Sequence, residues 1–313
     1  MTRLTHHLVP VLFVAAGFGL SLIGLRPVVA DLLILSVYYL LLAGSWNLLA
    51  GFAGQYSFAH IGLATAGAYG TAALVIAGGL SGWATLAIMP VAVALLGGGL
   101  GLVALRVRGV QLPLITFAFA GAFAVFLAAA ADITNGSMGL QLPKLVPGFD
   151  RSLYLILGGI AAGLFFVVQN WMIDGRLGLL MQAIRDNEDI SYGMGVSIFR
   201  VKIAAFMITA AIAGLAGSFY ANYVGVLAPS MLSMGEMGYV VAMVVIGGLG
   251  YRYGPLIGVV IIRSIEYFVR GFGAEYTLVL ITGIALLTVL VFREGVIAYL
   301  RRLVPRNNAR WES

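Results

Sequence analysis

The chain has 313 residues, 61% of them hydrophobic and 10% charged, with a formal net charge of +6. Soluble domains carry roughly a quarter charged residues, so this chain cannot hide its apolar surface from water, and lipid is its expected solvent. With no cysteine, disulfides, thiol nucleophiles, iron–sulfur clusters and thiolate zinc sites are excluded.

A helix crosses a bilayer in about 20 mostly apolar residues. Ten stretches qualify: 8–25, 28–50, 58–79, 83–105, 111–131, 153–171, 203–222, 239–250, 255–269 and 276–292. The eighth and ninth are short and fit one broken helix plus a re-entrant segment. The expected fold is all-α, a polytopic integral membrane protein of about ten transmembrane helices, some discontinuous or re-entrant, in one domain over residues 1–313. Arg3, the apolar run behind it and Val28-Val29-Ala30 also fit a cleavable leader, the rarer case on a multispan chain.

Basic residues orient the spans. With the N-terminus inside, the outside segments hold only Arg26, Lys144, Arg151, Arg263 and Arg270 of the 18 Lys and Arg residues. The other thirteen fall inside, as the positive-inside rule requires. Both termini and the polar stretch 174–202 are then expected in the cytoplasm.

Two glycine-rich interruptions stand out. Asn47 to Ser57 contains Gly51 and Gly54 within an apolar run; Gly247, Gly248, Gly250, Gly254 and Pro255 interrupt another. Such breaks point to a pathway built from discontinuous helices. Around the first, Asn47, Gln55, Ser57, His60 and Thr65 bring polar groups to depths where an unpaired one is costly. They serve either as interhelical hydrogen-bonders or as the lining for a small polar solute. Elsewhere, Gly97…Gly101 and Gly159…Gly163 read as packing seams.

Ionisable residues deep in the spans are scarce. Asp31 and Glu236 fall near expected helix ends. Arg263 and Glu266, three apart toward an outer boundary, read as a local ion pair. A proton- or sodium-driven carrier needs buried carboxylates, so ion-coupled secondary transport is the less favoured alternative. No Gly-Lys-Ser/Thr nucleotide loop, metal-ligand spacing or hydrolase motif occurs. No catalytic residue, metal ligand or nucleic-acid surface is expected.

The stretch 174–202 is too long and polar for a turn. Leu180, Ile184, Ile190 or Ser191, and Met194 make an interrupted apolar stripe at helical spacing. Arg185, Asp186, Asn187, Glu188 and Asp189 cover the other directions, and Gly193 and Gly195 supply a stop. Three acids around Asn187 repel anionic headgroups, so a protein partner is favoured over lipid for this short helix.

Four stretches carry a family resemblance. They are Asn47-Leu-Leu-Ala-Gly51…Gly54-Gln55-x-Ser57-x-x-His60 with Gly67-Ala68-Tyr69; Thr134-Asn-Gly136-Ser137-Met-Gly139-Leu140; Ala183 to Glu188 through Gly195 with Ala213-Gly214-Leu215-Ala216-Gly217; and Gly247-Gly248-Leu249-Gly250…Gly254-Pro255. Together they resemble the permease subunits of high-affinity branched-chain amino-acid ABC importers, of the LivM type. The resemblance implies a bacterial inner-membrane permease that binds no cofactor itself. It also implies a paralogous LivH-type permease, two ATP-binding subunits holding ATP and Mg, and an extracytoplasmic substrate-binding protein. The segment 185–195 would be the helix that inserts into the ATPase. Similar permeases serve urea, short amides or aromatic acids, which stay open as solutes. The chain departs from the pattern at Asp189-Ile190-Ser191, where relatives often carry Ala-Ala, and at Arg108 to Leu112.

Overall fold

The computed structural model describes residues 3–104, 111–145, 150–229, 233–269, 283 and 295–303. Its long helices are α1 (Arg3–Leu22), α2 (Pro27–Asn47), α3 (Ala59–Ile76), α4 (Gly82–Ala104), α5 (Gln111–Ala129), α7 (Arg151–Asp174) and α10 (Ile198–Val224). A single turn, α6 (Ala131–Thr134), follows α5. Between α7 and α10 lie α8 (Arg176–Asp186) and α9 (Glu188–Gly193). Beyond α10 come α11 (Met234–Gly247), α12 (Gly254–Val269) and α13 (Val296–Leu303).

The chain is all-α and polytopic. Each of the first nine expected spans falls on a helix, and the tenth, 276–292, lies outside the described residues apart from Gly283. Among the described residues six helices are long and apolar enough to cross a membrane, α2 counting through Phe52. The apolar stretches Leu8–Leu22 of α1 and Gly235–Gly247 of α11 are shorter, and α12 has 16 residues. Lipid as solvent explains why Val91, Leu95, Val103, Leu114 and Val125 of α4 and α5 stand exposed.

Local chemistry sets the ends. Pro27 opens α2, the Asp150 carboxylate accepts from Ser152 N to cap α7, and Ser233 caps α11 by accepting from Glu236 N. Gly225, at φ +73°, closes α10 in the left-handed region.

Helix α10 is the central post, packed on α2, α3 and α4. It crosses α3 backbone to backbone, because Gly217 has no Cβ to strike the Ala64 carbonyl. Gly97 meets Ala210 across the α4–α10 seam, and Gly159 meets Gly17 across the α7–α1 seam. At the end of the bundle away from the α8–α9 loop, Arg151 Nε donates to Asp31 Oδ1 at 2.7 Å, and the Tyr223 hydroxyl donates to the same oxygen. There a short antiparallel ladder pairs β1 (Leu140–Gln141) with β2 (Val226–Leu227).

Two sequence expectations change. The eighth and ninth stretches are not one broken helix: α11 and α12 form a helical hairpin. A Cβ on Gly247 would strike the Gly254 carbonyl and one on Gly258 the Met243 carbonyl, a pairing that runs antiparallel. Only Gly248 (φ +124°) and Gly250 (φ +76°) let the chain reverse so tightly. Second, Arg263, expected toward an outer boundary, is buried within α12, 3% exposed.

Candidate functional site

At the loop end of the bundle, three segments far apart in sequence converge. Helix α2 runs on through a π-turn, Leu48–Phe52, and stops where Gly54 takes φ +68°. π-Turns within helices are frequent at functional sites. Asn47, fully buried, donates from Nδ2 to the Tyr251 carbonyl (3.0 Å) and accepts from Gly250 N on Oδ1 (2.9 Å). It therefore staples the end of α2 to the hairpin turn. A Cβ on Gly51 would lie 2.5 Å from Gly250 N, so only glycine permits this approach. Both expected glycine breaks thus meet at one point.

The loop grips the same point. Arg185 Nη1 donates to the Gly51 carbonyl at 2.8 Å, its stem packs where a Gly54 Cβ would stand, and its Nη2 pairs with Asp186 at 2.9 Å. Arg252 of the hairpin turn forms an ion pair with Asp174 and donates to Asn170 Oδ1 at 2.9 Å. In return Gln169 Nε2 donates to the Arg252 carbonyl at 2.7 Å. The beginning and middle of the loop are both tied to the helices that carry the breaks.

The expected apolar stripe is divided. Asn187 bends the chain (φ −158°) and caps α9 by accepting from Ile190 N at 3.0 Å. Before the bend Ile184 is buried against the bundle; after it Ser191 is buried while Ile190 (62% exposed), Tyr192 (74%) and Met194 (79%) face outward. Glu188 is held by Lys202 Nζ at 2.9 Å, which ties α9 to the base of α10. Asp186 and Asp189 are exposed, Gly193 ends α9, and Gly195 turns the chain at φ +80°. A periodic pattern tells which residues share a face but not where the helix bends.

The five polar residues of the first break divide too. Asn47 is fully satisfied. Ser57 Oγ accepts from Ala59 N at 3.2 Å, its carbonyl accepts from Trp46 Nε1 at 2.8 Å, and the Thr65 hydroxyl donates to the Ile61 carbonyl at 2.9 Å. Gln55 and His60 are different. Both are buried, and neither amide atom nor either ring nitrogen has a partner. A buried unpartnered polar group costs about 1–3 kcal/mol, so these two remain the lining candidates. The Tyr69 hydroxyl, farther along α3, is orphaned as well, which composition alone did not single out.

Farther along the same helices lies a cluster of which only fragments were legible in the sequence. Arg263 Nη1 donates to Glu266, which also accepts from the Tyr239 hydroxyl at 2.9 Å. The Arg263 guanidinium lies over the Tyr39 ring, 5.2 Å from its centroid, and the Tyr39 hydroxyl donates to Glu236 at 3.1 Å. The i,i+3 pair was legible; the joining of Glu236 and Tyr39 required the hairpin.

A family model described as the branched-chain amino acid transport system permease component matches residues 28–290. The chain belongs to that family. The permease LivM of Escherichia coli K12, from a high-affinity branched-chain amino acid transport system, is 27% identical over 307 residues, 89% of this chain and 72% of its own length. The corresponding LivM of Salmonella typhimurium LT2 is 27% identical over 300 residues, 87% of this chain and 70% of its own. The permease LivH of E. coli K12 is 26% identical over 280 residues, 83% of this chain and 91% of its own. No solved structure matches. In this branched-chain permease the matched region takes in both glycine breaks, the loop and α11–α12.

Proposed function

We propose that the chain is the LivM-type permease subunit of an ABC importer, carrying branched-chain or related amino acids across the inner membrane. It forms a single permease domain with the loop 174–202 and both termini in the cytoplasm. A LivH-type paralogue completes the path, two ATP-binding subunits hold ATP and Mg, and an extracytoplasmic binding protein supplies the solute.

The observation that carries the energy-coupling half is the knot at the loop end. On α9 and at its C-terminal cap Ile190, Tyr192 and Met194 are exposed to a partner, while Arg185 and Asp174 tie the same loop to Gly51 and Arg252. A push on α9 therefore reaches α2 and the α11–α12 turn through hydrogen bonds and ion pairs rather than through a slack linker. A short helix seated in a groove is a common recognition mode. Gln55 and His60 then face the path, where weak polar contacts suffice for a solute delivered by a high-affinity receptor.

Co-expression with the partner subunits tests the assembly. A tag on this chain is expected to retrieve the paralogous permease and the ATP-binding subunits, and the complex is expected to import leucine when fed by its binding protein. Retrieval of no ATP-binding subunit would contradict the reading. Import of urea or a short amide instead of an amino acid would correct the solute alone.

A further inference from the structure

The Tyr39–Glu236–Tyr239–Arg263–Glu266 cluster sits deep. Asn47 meets Gly250 and Tyr251 at the loop end, which sets a common level for α2 and the hairpin. Tyr39 lies eight residues from Asn47 and Arg263 nine from Gly254, so at about 1.5 Å per residue both stand roughly 12–14 Å above that level. Against a hydrocarbon core of about 30 Å this is close to the middle. Ionised side chains there are costly and mark function by default.

Arg263 is enclosed and only half used. Its Nη1 is held by Glu266, itself steadied by Tyr239, while Nε and Nη2 are buried with no hydrogen-bond partner. Those two nitrogens share one edge of the planar guanidinium. Their N–H bonds run parallel, at the spacing of the two oxygens of a carboxylate. A buried donor edge without a partner is costly, so a carboxylate that accepted from it would be favoured there. At the hydroxyl end of Tyr39 stands Glu236, a second carboxylate, whose one side-chain hydrogen bond among the described residues comes from the Tyr39 hydroxyl.

We infer that Arg263 and Glu236 form a transient binding site for the zwitterionic head of an α-amino acid at mid-membrane. The solute's carboxylate accepts from Arg263 Nε and Nη2, and its ammonium donates to Glu236. Glu266 and Tyr239 are positioning residues that fix the guanidinium edge. Urea and amides lack the carboxylate that this edge fits. The fork is closed in by α2 and the hairpin, so the solute reaches it when the two separate, and the hairpin turn is the part that the loop grips. This inference rests on the amino-acid importer reading and narrows it to a solute with both charges on one carbon.

The test is radiolabelled leucine uptake by proteoliposomes carrying the whole complex with its binding protein, with ATP hydrolysis followed in parallel. R263Q is expected to lower uptake per ATP hydrolysed by about tenfold or more, with assembly and ATPase activity kept. R263K, which restores charge without the fork, stays low, and E236Q falls similarly. Wild-type uptake in R263Q overturns the site. Should R263Q fail to assemble, the wild-type complex answers through modification of Arg263 by phenylglyoxal, read at its peptide by mass spectrometry. Leucine slows that labelling during turnover and leucinol, without a carboxylate, does not; equal labelling with both overturns the site. A wild-type complex that carries urea but no α-amino acid removes the functional reading and the site together, whereas leucine uptake indifferent to R263Q removes the site alone.

Discussion

Asn47 shows what a single side chain decides. Its amide closes two hydrogen bonds to the backbone of a turn more than two hundred residues away. Asn47→Ala leaves the Gly250 N–H and the Tyr251 carbonyl without these partners at a buried site. We expect a loss of about 1–3 kcal/mol, seen as a lower melting temperature of the purified complex. Arg185 acts differently, since it is half exposed and joins two elements instead of filling a core. Arg185→Ala should leave insertion and subunit assembly intact but lower leucine transported per ATP hydrolysed, measured in proteoliposomes. The sequence marked both residues as polar where polarity is costly or useful. It left Asn47 open between hydrogen-bonder and pathway lining and put Arg185 on the docking face, because neither partner lies within reach of any local pattern. Only the fold brings Gly51 and Gly250 to them.

At the scale of elements, the loop helix was legible in outline and wrong in detail. Spacing located a short amphipathic stretch ending at Gly193 and Gly195, and the structure holds α9 there. The stripe, expected to be interrupted, is divided at Asn187, which both ends α8 and caps α9, so the two helices turn different faces to the bundle. The outward side of α9 gives a specific expectation. Ile190→Glu with Met194→Glu should abolish retrieval of the ATP-binding subunits in a pull-down, because charged side chains at an apolar contact centre cost well over about 1 kcal/mol. The LivH-type partner should still be retrieved. The hairpin makes a second case. Gly258→Leu places a side chain against the Met243 carbonyl, where backbone cannot yield. It is expected to destabilise the protein, read as loss of the folded monomer by size-exclusion chromatography in detergent. Short apolar runs at 239–250 and 255–269 gave helices of the right place but not their pairing, since two short helices and one broken helix share the same periodicity.

For the whole molecule, composition was enough for class: a chain this apolar and this poor in charge folds in lipid. Order and spacing of the glycine motifs carried the family, which the match over residues 28–290 established. The burial of Arg263 was illegible because it depends on the packing of α12 against α2 and α11, which no local pattern encodes. The molecule that results is a helical bundle with two glycine joints stapled together at one end, and the loop proposed to receive a partner's motion is bonded to that staple. Its central consequence concerns the source of energy, and leucine accumulation in proteoliposomes measures it most directly. With the paralogous permease, the ATP-binding subunits and the binding protein present, accumulation should require ATP and should persist when proton and sodium gradients are collapsed. Accumulation driven by an ion gradient in vesicles holding this chain alone would contradict the account.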